Sequence, residues 1–144
     1  MKNQNEVNKA LKAADQPIMV ESAQQLEQTV ENLLQCDVIG IDTEFVRERT
    51  WRADLGLIQI SDGKQVWLVD PLKTGPLEPL SFLLKDPSTV KILHAPSEDL
   101  DVLLYNAGAV PDPLFDTQIA CAMLGQPLQM GYHSTVEWLL DIAI

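Results

Sequence analysis

The sequence predicts an α/β domain, a mixed β-sheet covered by helices. Three strand-like runs joined by tight connections come first, which calls for antiparallel neighbours. Strand-like and helix-like runs then alternate, which calls for parallel ones. The chain has 144 residues, enough for one domain with a single core.

The elements follow in order. Residues 1–16 are polar and lack a clear apolar period, so they are expected to form a flexible extension. Residues 17–20 read as a short extended piece. Ser22 with Gln25 three positions later matches a capping box, and Leu26, Val30, Leu33 and Leu34 mark one face of the helix that follows. Val38 to Asp42 reads as a strand buried on both sides. Leu55 to Ile60 and Val66 to Val69 are two more strands, joined by the turn Ser61-Asp62-Gly63-Lys64. Residues 76–85 suit a short helix through Leu77, Leu80, Leu83 and Leu84. Val90 to Leu93 is a fourth strand. Ser97 is placed to cap a helix with Leu100, Leu103, Leu104 and Ala107 on one face, stopped by Gly108. Leu114-Phe115 reads as a brief strand, Asp116 or Thr117 as a cap, and residues 134–140 as a last helical segment.

Composition narrows the function classes. The chain is 46% hydrophobic and 22% charged, ordinary for a globular protein. No apolar run approaches a membrane span, and the first residues are too polar for a signal peptide, so the expected compartment is the cytoplasm. Cys36 and Cys121 lack a cysteine neighbour and read as plain thiols. Only two histidines, His94 and His133, argue against an imidazole zinc site. A net charge of −11 speaks against broad nucleic-acid binding through a basic surface. It does not exclude a nuclease, because a metal site needs carboxylates and the ion reverses the local field.

The sharpest local signal is Asp42-Thr43-Glu44. Two carboxylates two apart on a strand project from one face. Close together they must share a proton or a cation, and a hard divalent metal is a natural cation there. Arg47, Arg49 and Arg52 follow at once and suit phosphate groups. A second acidic group, Glu98-Asp99-Asp101, opens the helix after the fourth strand. The helical wheel puts Asp99 and Asp101 equally far from the apolar stripe and does not choose between them. Trp51 can stack on a base or on a guanidinium. His94 follows the fourth strand, where crevice residues of open sheets gather. His133 and Glu137 read as a surface pair four apart.

IDTEFVRERTWRADLGLIQI, WLVDPL, KILHAPSEDLDVLL and PLFDTQIA, in this order and spacing, resemble the ribonuclease D family of the DEDD 3′→5′ exonucleases over residues 17–144. The resemblance implies a ribonuclease H-like mixed five-stranded sheet flanked by helices. It makes residues 17–144 the exonuclease domain. It assigns Asp42 and Glu44 to the first motif and Asp99 to the second. It implies two divalent ions, Mg²⁺ or Mn²⁺, held by Asp42, Glu44 and Asp99, and RNA 3′ ends as substrate, among them tRNA precursors. The product that the resemblance implies is a nucleoside 5′-monophosphate. Thr43 and Phe45 are expected to border the terminal nucleotide, the three arginines to contact the RNA backbone, and Trp51 and His94 to contact substrate.

The family's third motif, a Tyr with Asp four positions on, lies beyond the matched region. Tyr132 has Val136 four positions on. The chain is therefore expected to lack the family's C-terminal helix, to be weakly active or inactive alone, and to self-associate through the surface that helix would cover. Two other readings remain at this point: a non-catalytic nucleic-acid or protein interaction module, and an enzyme for short oligonucleotides.

Overall fold

The computed structural model describes residues 4–47 and 51–144. Six strands form one mixed sheet in the order β1-β4-β3-β2-β5-β6. They are β1 (Ile18–Val20), β2 (Val38–Val46), β3 (Asp54–Ser61), β4 (Val66–Val69), β5 (Val90–Leu93) and β6 (Leu114–Asp116). β3 runs antiparallel to β2 and β4, and the other pairings are parallel. The resemblance implies five strands. Six are present because both short runs, at residues 18–20 and 114–116, find a parallel partner at an edge of the sheet.

The helices are α1 (Gln4–Ala14), α2 (Ala23–Leu33), α3 (Pro71–Thr74), α4 (Glu78–Lys85), α5 (Ser97–Ala107), α6 (Thr117–Met123) and α7 (Tyr132–Leu140). The segment expected to be a flexible extension contains the helix α1. It is rich in good helix formers, and Lys9 pairs with Glu6 at 3.0 Å, though the helix buries none of its residues. α2 starts as expected: Ser22 Oγ accepts from the Gln25 amide at 3.2 Å, and the Gln25 side chain accepts from the Glu21 amide at 2.8 Å. α5 starts differently. Pro96 is its N-cap and Ser97 is already inside it. Its buried residues are Val102, Leu103 and Ala107, while Leu104 is half exposed.

The core lies on one side of the sheet. Val20, Ile39, Ile41, Ile58, Ile60, Trp67, Val69 and Leu93 turn toward α2, α4 and α5. The opposite side is open. Along β2, Val38, Asp42 and Glu44 are exposed while Ile39, Ile41 and Thr43 are buried. The register carries that open side onward: Val38 faces Val90, Gly40 faces Ile92, and Ile92 faces the exposed Phe115. β2 is thus covered on one face, not two. An unbroken apolar run in the sequence fits either case, and here the side chains at alternate positions decide it.

One buried cation stands out. Lys91 is fully buried, and its Nζ donates to the carbonyl oxygens of Asp86 at 2.6 Å and Asp112 at 3.0 Å. Its backbone amide donates to the Pro113 carbonyl at 3.0 Å. Lys91 therefore ties the turn before β5 to the loop before β6.

Candidate functional site

β2 positions the first two acids. Asp42 and Glu44 share its open face. The register with β3 shifts between Glu44 and Phe45: Glu44 faces Leu57 and Phe45 faces Leu55, which leaves Gly56 as the extra residue of a bulge. A Cβ at Gly56 would sit 3.5 Å from the Glu44 carbonyl, an ordinary contact distance, so the bulge itself does not demand glycine.

Asp99 reaches β2 from the helical side. It lies in the first turn of α5, and Thr43 Oγ1 donates to its Oδ1 at 2.5 Å. Asp101 is exposed and points away from this contact. The ambiguity on the wheel resolves in the packing: Asp99 is the acid that meets the strand.

Asp42 senses the other two carboxylates. Burial raises the Asp42 carboxyl above its ordinary value of 3.8, and the charges of Asp99 and Glu44 raise it further. A backbone hydrogen bond from Thr43 pulls the other way without cancelling the rise, and Gln59 Nε2 donates to Asp42 Oδ2 at a long 3.4 Å. The donor set is hard oxygen, the chemistry that suits Mg²⁺ or Mn²⁺. Among the described residues, however, no three His, Cys, Asp or Glu side chains gather into a set that would grip one ion. The hydrogen bond from Thr43 holds Asp99 Oδ1 on the far side of the strand from Glu44.

Thr43 and Phe45 do not border the acidic face. Thr43 is buried, and Phe45 packs against the core, because odd positions of β2 turn toward the helices. Arg47 is exposed just past β2, and Arg49 lies outside the described residues. Arg52 stacks: its guanidinium carbon is 4.3 Å from the Tyr105 ring centre and 4.9 Å from that of Trp51. Trp51 thus meets a guanidinium here.

His94 is satisfied within the chain. Nε2 donates to the Met130 carbonyl at 2.9 Å, and Nδ1 lies 2.8 Å from Thr117 Oγ1. The Tyr132 ring meets it edge-on at 5.7 Å. This residue joins the end of β5 to α6 and to the loop before α7. His133 and Glu137 are both exposed on α7.

Sequence reading missed the residues that hold the β5–α5 turn. Ala95 has φ +49°, a left-handed conformation that costs energy for a residue with a Cβ. Asp116 Oδ1 holds it by accepting from the Ala95 amide at 3.0 Å and the Gln118 amide at 2.8 Å. From that turn α5 springs, with Asp99 in its first turn. The only sequence signal was the cap assigned to Asp116. Tyr105 was missed as well, because an exposed aromatic at the outer face of a helix has no periodicity to betray it.

Residues 17–144 match the model of a family described as 3′-5′ exonuclease. Ribonuclease D of Escherichia coli (strain K12) is 52% identical over 99 residues, 69% of this chain and 26% of that protein. The crystal structure of Escherichia coli RNase D, an exoribonuclease involved in structured RNA processing, superposes with a TM-score of 0.85 at 42% identity, over 89% of this chain and 34% of that one. Brucella melitensis NrnC with bound Mg²⁺ gives a TM-score of 0.68 at 29% identity, over 89% of this chain and 61% of that one. The chain spans about a quarter of the length of the curated relatives it matches. The mixed sheet with helices is the ribonuclease H-like architecture of these neighbours. The chain belongs to the 3′-5′ exonuclease family, and its similarity within that family is to ribonuclease D.

Proposed function

We propose that this domain hydrolyses single-stranded RNA from its 3′ end and releases nucleoside 5′-monophosphates. The observation that carries the reading is the acidic pair on the open face of β2, with Asp42 raised by burial and by two neighbouring carboxylates. Charges of one sign gathered in a partly desolvated place call for a cation. Asp42 and Glu44 would hold one divalent ion, and Asp99 would help hold a second after turning from Thr43. When bound, such ions supply an activated water and neutralise charge on the leaving 3′ oxygen. The Mg²⁺ bound to the Brucella protein supports this choice of ion. The Escherichia coli enzyme's role in structured RNA processing supports RNA as the polymer, and tRNA precursors are the substrates we favour.

A second reading is favoured by one contact. Asp99 is held by Thr43 and not aimed at the other acids, as in an interaction module that keeps the fold without catalysis. Incubation with 5′-labelled RNA and Mn²⁺ separates the two. The enzyme reading expects a ladder shortened from the 3′ end that vanishes with chelator. RNA that stays intact while the protein binds it would favour the module.

Arg47, Arg49 and Arg52 contact the RNA backbone in this proposal. Converting all three to Ala is expected to weaken RNA binding and to flatten its salt dependence by a slope of about 0.7 per lost phosphate contact on a single strand. Unchanged affinity and slope would reduce them to solvated surface. The open side of the sheet around Val38, Ile92 and Phe115 is proposed to drive self-association. Sedimentation across a range of concentrations reads this, and a monomer throughout would refute it.

A further inference from the structure

A cleft of about 500 Å³ lies between the chain leading into β3 and the outer face of α5. Buried Ala53 and Val102 form part of its lining, and Trp51 and Tyr105 stand beside them with 81% and 59% of their surface exposed. The Arg52 guanidinium lies over both rings, at 4.9 and 4.3 Å. Trp51 and Tyr105 are set apart from the other exposed aromatics by sharing one cleft with an apolar floor. A flat group already fills the slot, since a guanidinium stacks on a ring much as a base does. Asp101 lines the cleft together with Arg47 and Arg52, so its charge is mixed, and the two exposed rings are what favour a planar group. Arg47, at the rim, lies three residues beyond Glu44, about 10 Å along an extended chain. One RNA strand can therefore reach both the acidic pair and the cleft.

We infer that this cleft is a subsite for one unpaired nucleobase of the RNA, with Tyr105 as its stacking platform and Arg52 released toward the adjoining phosphate as the base enters. The inference deepens the RNA-hydrolysis reading and rests on it. Stacking on an aromatic side chain tolerates any base, so the subsite would grip a 3′ tail without reading its sequence. Tyr105 touches no reacting atom here. Its role is to hold the strand in register with the acids.

The test is equilibrium binding of fluorescent tetra-adenylate, with Ca²⁺ replacing Mn²⁺ so that the oligonucleotide survives. Tyr105→Ala is expected to weaken binding roughly tenfold, and Tyr105→Phe to stay within about twofold of the parent. Tyr105→Gln, which keeps bulk and helix propensity, should behave like Tyr105→Ala and guards against a folding defect. Tetranucleotides lacking one base at each position in turn supply the second readout. One of them should bind the parent as weakly as the full oligonucleotide binds Tyr105→Ala, and should bind Tyr105→Ala no worse than that. If Tyr105→Ala binds like the parent, or every missing base weakens both proteins equally, the subsite is wrong while RNA binding stands. If the parent binds no RNA, the RNA reading falls and takes the subsite with it.

Discussion

On the proposed function, Glu44→Gln and Asp42→Asn are each expected to lower metal-dependent shortening of RNA by roughly three orders of magnitude or more, yet Asp42→Asn is expected to raise the melting temperature of the metal-free protein. The activity loss follows from removing a member of a constellation that works as a unit. The gain in stability follows from the repulsion among Asp42, Asp99 and Glu44, which burial of Asp42 makes worse. The sign of the pH dependence is fixed by the direction of the shift. The Asp42 carboxyl is raised in the folded state, so its contribution is fully favourable below about 3.8 and is lost as pH rises through the folded value. The metal-free parent should therefore melt below Asp42→Asn at neutral pH, and the two should converge under acid. Added Mn²⁺ should raise the parent's melting temperature and leave Asp42→Asn nearly unmoved. Parallel melting curves at every pH, with equal Mn²⁺ shifts, would remove the carboxylate cluster from the argument.

That expected pairing of higher stability with lost function is the physical reason the acidic triplet stands out in the sequence. A D-x-E triplet at the end of an apolar run is costly to fold, and such cost without compensation marks a working position. The strands β4 and β5 were legible to the residue because short apolar runs flanked by turn residues have few alternatives. What could not be read was which side of the sheet is covered. Val38, Ile39, Gly40 and Ile41 are all small or apolar, so the run carries no alternation to show that Val38 is exposed and Ile39 is not. The stripe on α5 failed for a related reason. With Leu100, Val102, Leu103 and Leu104 nearly contiguous, several faces are apolar, and packing against β2 and β3 chose the one with Val102. His94 and Thr43 were assigned to substrate by position alone. Each also places polar atoms on a long-range partner, and such partners leave no trace in local sequence.

Lys91→Ala will destabilise the protein by about 3–5 kcal/mol, the largest stability loss expected of any single substitution discussed here. Lysine in the run Val-Lys-Ile-Leu looks like a surface residue of a half-exposed strand. Its side chain instead enters the covered side and ends on two carbonyl oxygens. Truncation leaves a cavity the length of the side chain and two buried acceptors without a donor. For a chain of this size the melting temperature should fall by on the order of 10 °C. Lys91→Met separates the two costs. It fills the volume but cannot donate, so it should lose only the hydrogen-bond part, about 1–3 kcal/mol. Titration adds an independent check. Burial lowers the Lys91 pKa below its ordinary 10.5, while Asp86 and Asp112 pull the other way. A lysine lowered in the folded state disfavours folding when protonated, and that penalty lifts as pH rises through the folded value toward 10.5. A neutral amine still donates to both carbonyls. The stability advantage of the parent over Lys91→Met should therefore widen across that alkaline window. A difference that stays flat, or a Lys91→Ala protein that melts with the parent, would mean that Lys91 reaches water and that the turn before β5 and the loop before β6 are held by something else.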